Sequence, residues 1–177
     1  WKLVPVTLGQ LDDDVRGQVA AALGELLDGK TALVVSSDFT HYGPNFGYVP
    51  FRTDVEAKLR QLDGGAIAKI VAGDADGFAA YCEETGATIC GQDSIGVLLR
   101  MLPEKFTARE IAYDTSGRST GDWRNSVSYA SIGFYGSGRP ARKAAAPAAA
   151  KQAAELTATD KKVLLALARS VIGRALK

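Results

Sequence analysis

Apolar residues recur with helical spacing in four stretches of this chain. The stretches predicted to be helical are residues 15–27, 53–72, 74–82 and 94–102. Asp12-Asp13-Asp14 precedes the first stretch, where these residues can cap a helix and place negative charge in its first turn. Asp74 can cap the third helix, and Pro103 ends the fourth. Gly64-Gly65 predicts a break within the second.

Four other stretches have the patterns of β-strands. Residues 1–6 predict a strand at the start of the chain. Residues 31–35 form a short continuous apolar run of the kind that is buried on both faces of a parallel or mixed sheet. Residues 106–113 and 126–135 alternate apolar and polar positions, which predicts two further strands. Strands that alternate with helices at this spacing indicate an α/β fold with helices packed on a sheet.

The composition changes after residue 135. Residues 136–154 are rich in Gly, Pro and Ala, which predicts a linker between a main domain at 1–135 and the stretch 155–177. In that last stretch Thr157-Ala158-Thr159-Asp160 resembles a capping box before an amphipathic helix, whose apolar stripe needs a partner surface. We expect this separate C-terminal helix to begin a second domain. Because both ends of the chain lie inside predicted elements, we also expect a fragment of a longer protein.

Composition and charge exclude several classes of protein. The chain is 46% hydrophobic and 23% charged, as in an ordinary globular protein, and no apolar run approaches the roughly 18 residues of a membrane span. Two cysteines form no disulfide framework, and no secretory signal is present, so we expect a cytoplasmic protein. Residues 138–177 carry a net charge of +7 and residues 1–137 a net charge of −6. An acidic main body argues against nucleic acid as a partner.

The most informative polar residues follow the predicted strand at 31–35. The chain continues Ser36-Ser37-Asp38-Phe39-Thr40-His41, and His41 is its only histidine. Active sites of open α/β sheets form at the carboxyl ends of strands, and an acid near a histidine can orient it as a general base or a metal ligand. Asp38 and His41 are therefore catalytic candidates.

Two other interpretations of these residues remain open at this level. Asp38 could cap a helical turn, with His41 a surface histidine. Alternatively, Ser37, His41 and Asp38 could form a hydrolase triad, although no Gly-x-Ser-x-Gly nucleophile elbow surrounds either serine.

The two cysteines have different expected roles. Cys90 lies at a predicted tight turn before a helix, where backbone N–H groups favour the thiolate that binds metals, although a buried structural thiol fits equally well. Cys82 lies on an apolar helix face and is expected to be structural. A thiolate combined with an imidazole suits iron, copper or zinc. The residues alone thus indicate a candidate metal or acid–base site in an α/β fold.

Several segments together resemble the Memo family, also known as protein B of the AmmeMemoRadiSam system. They are Trp1-Lys2-Leu3-Val4-Pro5-Val6, Val34-Val35-Ser36-Ser37-Asp38-Phe39-Thr40-His41, Thr88-Ile89-Cys90-Gly91 with Ile95-Gly96-Val97-Leu98-Leu99, and Asp122-Trp123-Arg124-Asn125-Ser126-Val127-Ser128-Tyr129-Ala130. Their order and spacing match over about residues 1–135. The stretch 155–177 resembles the first helix of an AMMECR-type domain.

This resemblance implies the C-terminal half of a metal-site domain. The implied fold is similar to class III extradiol dioxygenases, with a mixed central sheet flanked by helices, here truncated. The implied cofactor is non-haem iron, with copper or zinc as alternatives. Cys90 matches the family's cysteine ligand, and two upstream histidine ligands are absent from this chain. His41 matches an acid–base residue, and Asp38 its orienter or an outer metal partner.

The resemblance also has a departure and leaves three functions open. The family's Gly-x-x-Pro after the cysteine is Gly91-Gln92-Asp93-Ser94 here, so the loop beside Cys90 is expected to differ in shape and charge. The first function is an iron-dependent oxidoreductase that acts on a small molecule with dioxygen. The second is a peptide- or protein-interaction module. The third is an accessory role with radical-SAM and AMMECR-type partners. Neither nucleic acid nor a membrane is expected as a partner.

Overall fold

The computed structural model describes residues 2–136, and the architecture below concerns those residues. Nine elements follow in chain order: α1 Asp13–Gly24, β1 His41–Tyr42, a short 3-10 helix Pro44–Phe46, α2 Val55–Ala72, α3 Ala75–Thr85, α4 Gln92–Met101, β2 Phe106–Thr115, α5 Ser116–Thr120 and β3 Ser126–Gly136. The predicted linker, apart from Gly136, and the predicted helix at 155–177 lie outside the described residues.

The four predicted helices all form, and their ends follow local capping chemistry. Asp12 caps α1 by accepting a hydrogen bond from the backbone N–H of Val15, and Asp74 caps α3 in the same way through Gly77. The helix α2 ends at Gly73, which adopts a left-handed conformation at φ 70°. Capping signals therefore located these boundaries to within a few residues.

The helix α2 continues through Gly64-Gly65, so the predicted break is wrong. Packing explains the second glycine, because a Cβ on Gly65 would overlap the hydroxyl and ring of Tyr81 on α3. That hydroxyl donates a 2.8 Å hydrogen bond to the carbonyl of Leu62. The glycine allows a close helix contact, and tertiary packing outweighs its low helix propensity.

The sheet has the order β1-β3-β2, with both pairings antiparallel. The long β2–β3 hairpin pairs Phe106 with Gly136 and Thr115 with Ser128, and β1 adds His41 opposite Val127 at the start of β3. The helix α2 packs on this sheet, α3 packs on α2 and α4 packs on α3, and they share one apolar core. That core is formed by Phe39, Ala66, Ile67, Ile70, Phe78, Cys82, Ala87, Ile89, Ile95 and Leu99. An α/β fold with a sheet flanked by helices is confirmed, and the strands that the structure describes pair only in the antiparallel sense.

Two predicted strands do not form. Residues 2–6 and 31–35 carry no strand assignment, and Val4 and Val34 are 80% and 86% exposed. The expectation that residues 31–35 would be buried on both faces is therefore wrong. A strand needs a hydrogen-bonded neighbour, and no ladder within the described residues includes these segments.

The helix α1 packs separately, against α4. Ala20 meets Val97 and Met101 in a small second core, and Arg16 on α1 forms a 2.7 Å ion pair with Asp93 on α4. No helix among residues 2–136 is long and apolar enough to cross a membrane.

Candidate functional site

Two segments that lie more than fifty residues apart meet around the Cys90 thiol. The backbone N–H of Asp38 donates to Cys90 Sγ at 3.2 Å. Ser37 Oγ donates to the Asp38 carbonyl at 2.9 Å and accepts the Gly91 N–H at 2.9 Å. Gly91 permits this close approach, because a Cβ on residue 91 would lie only 2.5 Å from the Cβ of Ser37. The strand-like segment before β1 and the turn before α4 are thus joined directly at the site.

His41 is held by Thr88, which precedes Cys90 by two residues. The hydroxyl of Thr88 accepts the His41 backbone N–H at 2.9 Å and donates to the His41 carbonyl at 2.8 Å. The Thr88 carbonyl lies 2.9 Å from His41 Nδ1. Because a carbonyl can only accept, this contact assigns the imidazole proton to Nδ1. In the neutral ring the lone pair is then on Nε2.

The free edge of the imidazole faces the Asp38 carboxylate. His41 Nε2 lies 3.7 Å from Asp38 Oδ2, and the side chains are 22% and 48% exposed. Phe46, in the 3-10 helix, contacts the ring edge-on with 5.2 Å between centroids. The imidazole thus faces the Asp38 carboxylate, and the exposed Cys90 thiol contacts the backbone of the same aspartate. Such groups can move a proton or contribute donors to a metal ion.

The structure thus brings together the three residues that the sequence singled out, with one difference in role. Thr88, which the sequence analysis missed, hydrogen-bonds His41 Nδ1, while Asp38 lies on the Nε2 side beyond hydrogen-bonding distance. The helix-capping interpretation of Asp38 is wrong, because β1 follows it within three residues.

The hydrolase triad is not supported by the geometry either. Among the hydrogen bonds of the described residues, Ser37 Oγ contacts backbone groups of Asp38 and Gly91 and the thiol of Cys90, and none joins it to His41. A serine nucleophile needs its general base within hydrogen-bonding reach. This arrangement therefore lacks the first requirement of a triad.

The departure from the family pattern after Cys90 has a structural counterpart in Asp93. Its carboxylate accepts the Arg16 Nε–H at 2.7 Å and the Leu11 N–H at 3.4 Å. The extra negative charge is thereby paired with a cation on α1. Its effect is to fix the N-terminus of α4 against α1.

Cys82 has the structural role that its position on an apolar face predicted. It lies in the main core with 4% of its surface exposed. Burial raises the pKa of its thiol to about 11, so it stays protonated at neutral pH. Cys90, in contrast, is exposed among the described residues.

A buried polar network behind the site was also missed. Asp63 on α2 is fully buried, accepts both the N–H and the hydroxyl of Thr40, and receives the Tyr113 hydroxyl at 2.7 Å. Burial, followed by the charge of Asp63, raises the pKa of Tyr113, which keeps the phenol protonated as a donor. Asp63 occupies the buried face of α2 with Leu59 and Ile67. An acid at an apolar stripe position was the signal that could have revealed it.

The donors near Cys90 do not make a complete metal site by themselves. Within residues 2–136 there is no group of three or more His, Cys, Asp or Glu side chains that could hold a metal ion. Protein metal sites for iron or zinc generally use at least three protein ligands. The residues present therefore fit at most a part of such a site.

Comparison with known proteins identifies the family. A model of Memo-like proteins matches residues 1–133. A MEMO1 family protein of Thermococcus onnurineus is 32% identical over 141 residues, covering 75% of this chain and 48% of that protein. MEMO1 family proteins of Pyrococcus horikoshii and Thermoplasma volcanium are 32% and 34% identical, covering 74% and 75% of this chain and 48% and 45% of theirs. The chain spans about half the length of the curated relatives it matches. It belongs to the Memo family.

Proposed function

We propose that this chain supplies the cysteine ligand and the acid–base edge of a non-haem iron site in an oxidoreductase of dioxygenase type. Cys90 is the proposed ligand, His41 the proposed acid–base residue and Asp38 the carboxylate that faces it. The observation that carries the proposal is that the Cys90 thiol meets the Asp38 backbone from a distant segment, while His41 Nε2 lies 3.7 Å from the Asp38 carboxylate. The remaining ligands are proposed to be histidines in the part of the family's length that this chain does not span.

The local chemistry supports these roles. The His41 ring has its Nδ1 proton committed to the Thr88 carbonyl, so Nε2 is the nitrogen that can accept a proton or bind. A carboxylate facing Nε2 stabilises the imidazolium that proton transfer creates. The exposed thiol lies beside them, on the Asp38 backbone. The donors among residues 2–136 do not hold a metal ion alone.

The experiment uses this chain alone and this chain co-expressed with the unmatched half of the Thermococcus onnurineus relative. Cobalt(II) serves as the probe, because a cysteine ligand gives a sulfur-to-metal absorption band. We expect weak, non-saturating binding by the chain alone and saturable binding by the complex. In the complex Cys90→Ser should abolish the band, whereas the matched control Cys82→Ser should keep it. A band that survives Cys90→Ser would refute the ligand assignment.

The acid–base role has a separate test in the same complex loaded with ferrous iron. His41→Gln should leave iron content unchanged and lower oxygen consumption by about 10²-fold or more, the usual range for general acid–base catalysis. Loss of iron together with His41 would instead make the histidine a ligand. Unchanged oxygen consumption would remove it from the chemistry.

Peptide binding is a second candidate function, and one observation favours it. A cleft of about 1090 Å³ lies between the extended segment around Val34 and the β3 segment from Ala130 to Gly136, with Ile95, Leu98 and Phe134 among its apolar lining residues. An extended apolar peptide could add a strand between them. The cleft reaches Ser37 but is not lined by Asp38, His41 or Cys90. Peptide binding that is unchanged by Cys90→Ser and His41→Gln would favour this function.

A further inference from the structure

Asp63 is a fully buried carboxylate with no part in the site itself. Its Oδ1 accepts the Thr40 hydroxyl at 2.6 Å and the Thr40 N–H at 3.3 Å, and its Oδ2 accepts the Tyr113 hydroxyl at 2.7 Å. A buried carboxylate is costly unless it is well hydrogen-bonded, and these donors satisfy it. Two of the three come from the residue that immediately precedes His41.

Thr40 is held from both sides. Towards β3, its carbonyl accepts the Ser128 N–H at 3.0 Å, and the preceding Phe39 N–H donates to the Ser128 carbonyl at 2.8 Å. Away from β3, where a neighbouring strand would ordinarily supply acceptors, the Asp63 carboxylate takes both donors of Thr40. Asp63 thus replaces a strand edge on the helix-facing side of this segment.

The next residue along the chain is held in the same manner. Thr88 provides one acceptor and one donor to the backbone of His41, and its carbonyl accepts the Nδ1 proton. The orientation of the imidazole therefore depends on the backbone of residues 40 and 41 staying at one distance from Thr88. Asp63 and Thr88 are the two side chains that fix that backbone on its open side.

We propose that Asp63 is a positioning residue for His41, which acts through Thr40 to keep the imidazole proton on Nδ1 and Nε2 directed at Asp38. The value of this positioning for metal chemistry rests on the proposed function. The hydrogen-bond chain itself does not, and it can be measured without metal.

The geometry separates an acceptor role from a merely structural one. Asp63→Asn keeps an oxygen towards Thr40, and its amide can donate to the Tyr113 hydroxyl, which in turn can donate to Ser128 Oγ at 3.2 Å. Asp63→Ala removes the acceptor and leaves both Thr40 donors without a partner. Tyr113→Phe removes only the donor to Oδ2 and leaves the contacts to Thr40 intact.

Because His41 is the only histidine of the chain, its ring nitrogens give a single set of signals in ¹⁵N NMR. For the metal-free chain we expect one tautomer, protonated on Nδ1. Asp63→Asn and Tyr113→Phe should keep these shifts, and Asp63→Ala should move both nitrogens to averaged values as the tautomers interconvert. Retention of the wild-type shifts in folded Asp63→Ala, or their loss in Asp63→Asn, would overturn the proposal.

A second pair of variants decides the matter if Asp63→Ala does not fold. Thr40→Val keeps the shape of the side chain and removes the hydroxyl donor, whereas Thr40→Ser keeps that donor. We expect shifted His41 signals in Thr40→Val and wild-type signals in Thr40→Ser, and identical signals in the two would overturn the proposal. These NMR measurements use the metal-free chain. A negative result would therefore overturn the role of Asp63 alone, and the cobalt experiment would still test the proposed function independently.

Discussion

The neighbouring glycines of α2 offer a sharp test of how this helix packs. Gly64 has nothing within 4 Å of the position of a Cβ, whereas a Cβ on Gly65 would overlap the Tyr81 hydroxyl and ring. Both residues lie in the middle of the 18-residue helix, so their intrinsic helix propensities are equal. Substitution by alanine therefore separates propensity from packing.

The expected magnitudes follow from the contacts. Gly64→Ala should stabilise the fold by about 0.5–1 kcal/mol, since alanine reduces the entropy lost on forming a helix. Gly65→Ala gains the same term, but the Tyr81 ring must move. It then loses its 2.8 Å bond to the Leu62 carbonyl, worth about 1 kcal/mol, and the local overpacking costs about 1–3 kcal/mol. The net effect should be destabilisation by about 1–3 kcal/mol.

Urea denaturation followed by circular dichroism measures both changes, with unchanged m-values as evidence that compactness is preserved. A third variant, Tyr81→Phe, removes the hydroxyl that a Cβ on Gly65 would meet. Adding it should recover part of the loss in Gly65→Ala. If Gly65→Ala stabilised the protein as much as Gly64→Ala, the helix contact described here would be incorrect.

Three further predictions concern the thiols and the first helix. In the native protein a thiol reagent should label Cys90 rapidly and Cys82 only on unfolding, and counting modified thiols with and without denaturant checks this. Because burial raises the pKa of the Cys82 thiol from an ordinary 9 to about 11, folding favours the protonated thiol. The protonated thiol therefore contributes fully to stability below pH 9, and this contribution is lost as the pH rises towards 11. Denaturation at pH 8, 9, 10 and 11 should therefore show a shallower decline for Cys82→Ala than for wild type, and equal slopes would contradict the assignment. Asp12→Ala should cost about 1 kcal/mol, because it removes the cap on the Val15 N–H, whereas Asp14→Ala, which removes no cap, should cost less; urea denaturation of both variants measures the difference.

The sequence by itself determined the elements whose causes are local. Apolar periodicity and capping acids predicted four helices, and alternation predicted the strands β2 and β3, because side-chain period and terminal hydrogen bonds depend on neighbouring residues alone. The sequence also singled out Asp38, His41 and Cys90. Asp38 and His41 are three residues apart, and the order and spacing of the segments that resemble the family linked them to Cys90.

Tertiary structure decided the features that depend on contacts between segments distant in the sequence. Residues 31–35 have strand-like sequence, yet they form no strand because pairing requires a partner edge. Gly65 stays within a helix because Tyr81 needs its space. The orientation of His41 depends on the carbonyl of Thr88, which lies 47 residues further along the chain. It also depends on buried Asp63, which lies 23 residues after Thr40. Hydrogen bonds between distant segments leave no periodic trace in a sequence, so only the folded chain reveals which groups hold the histidine.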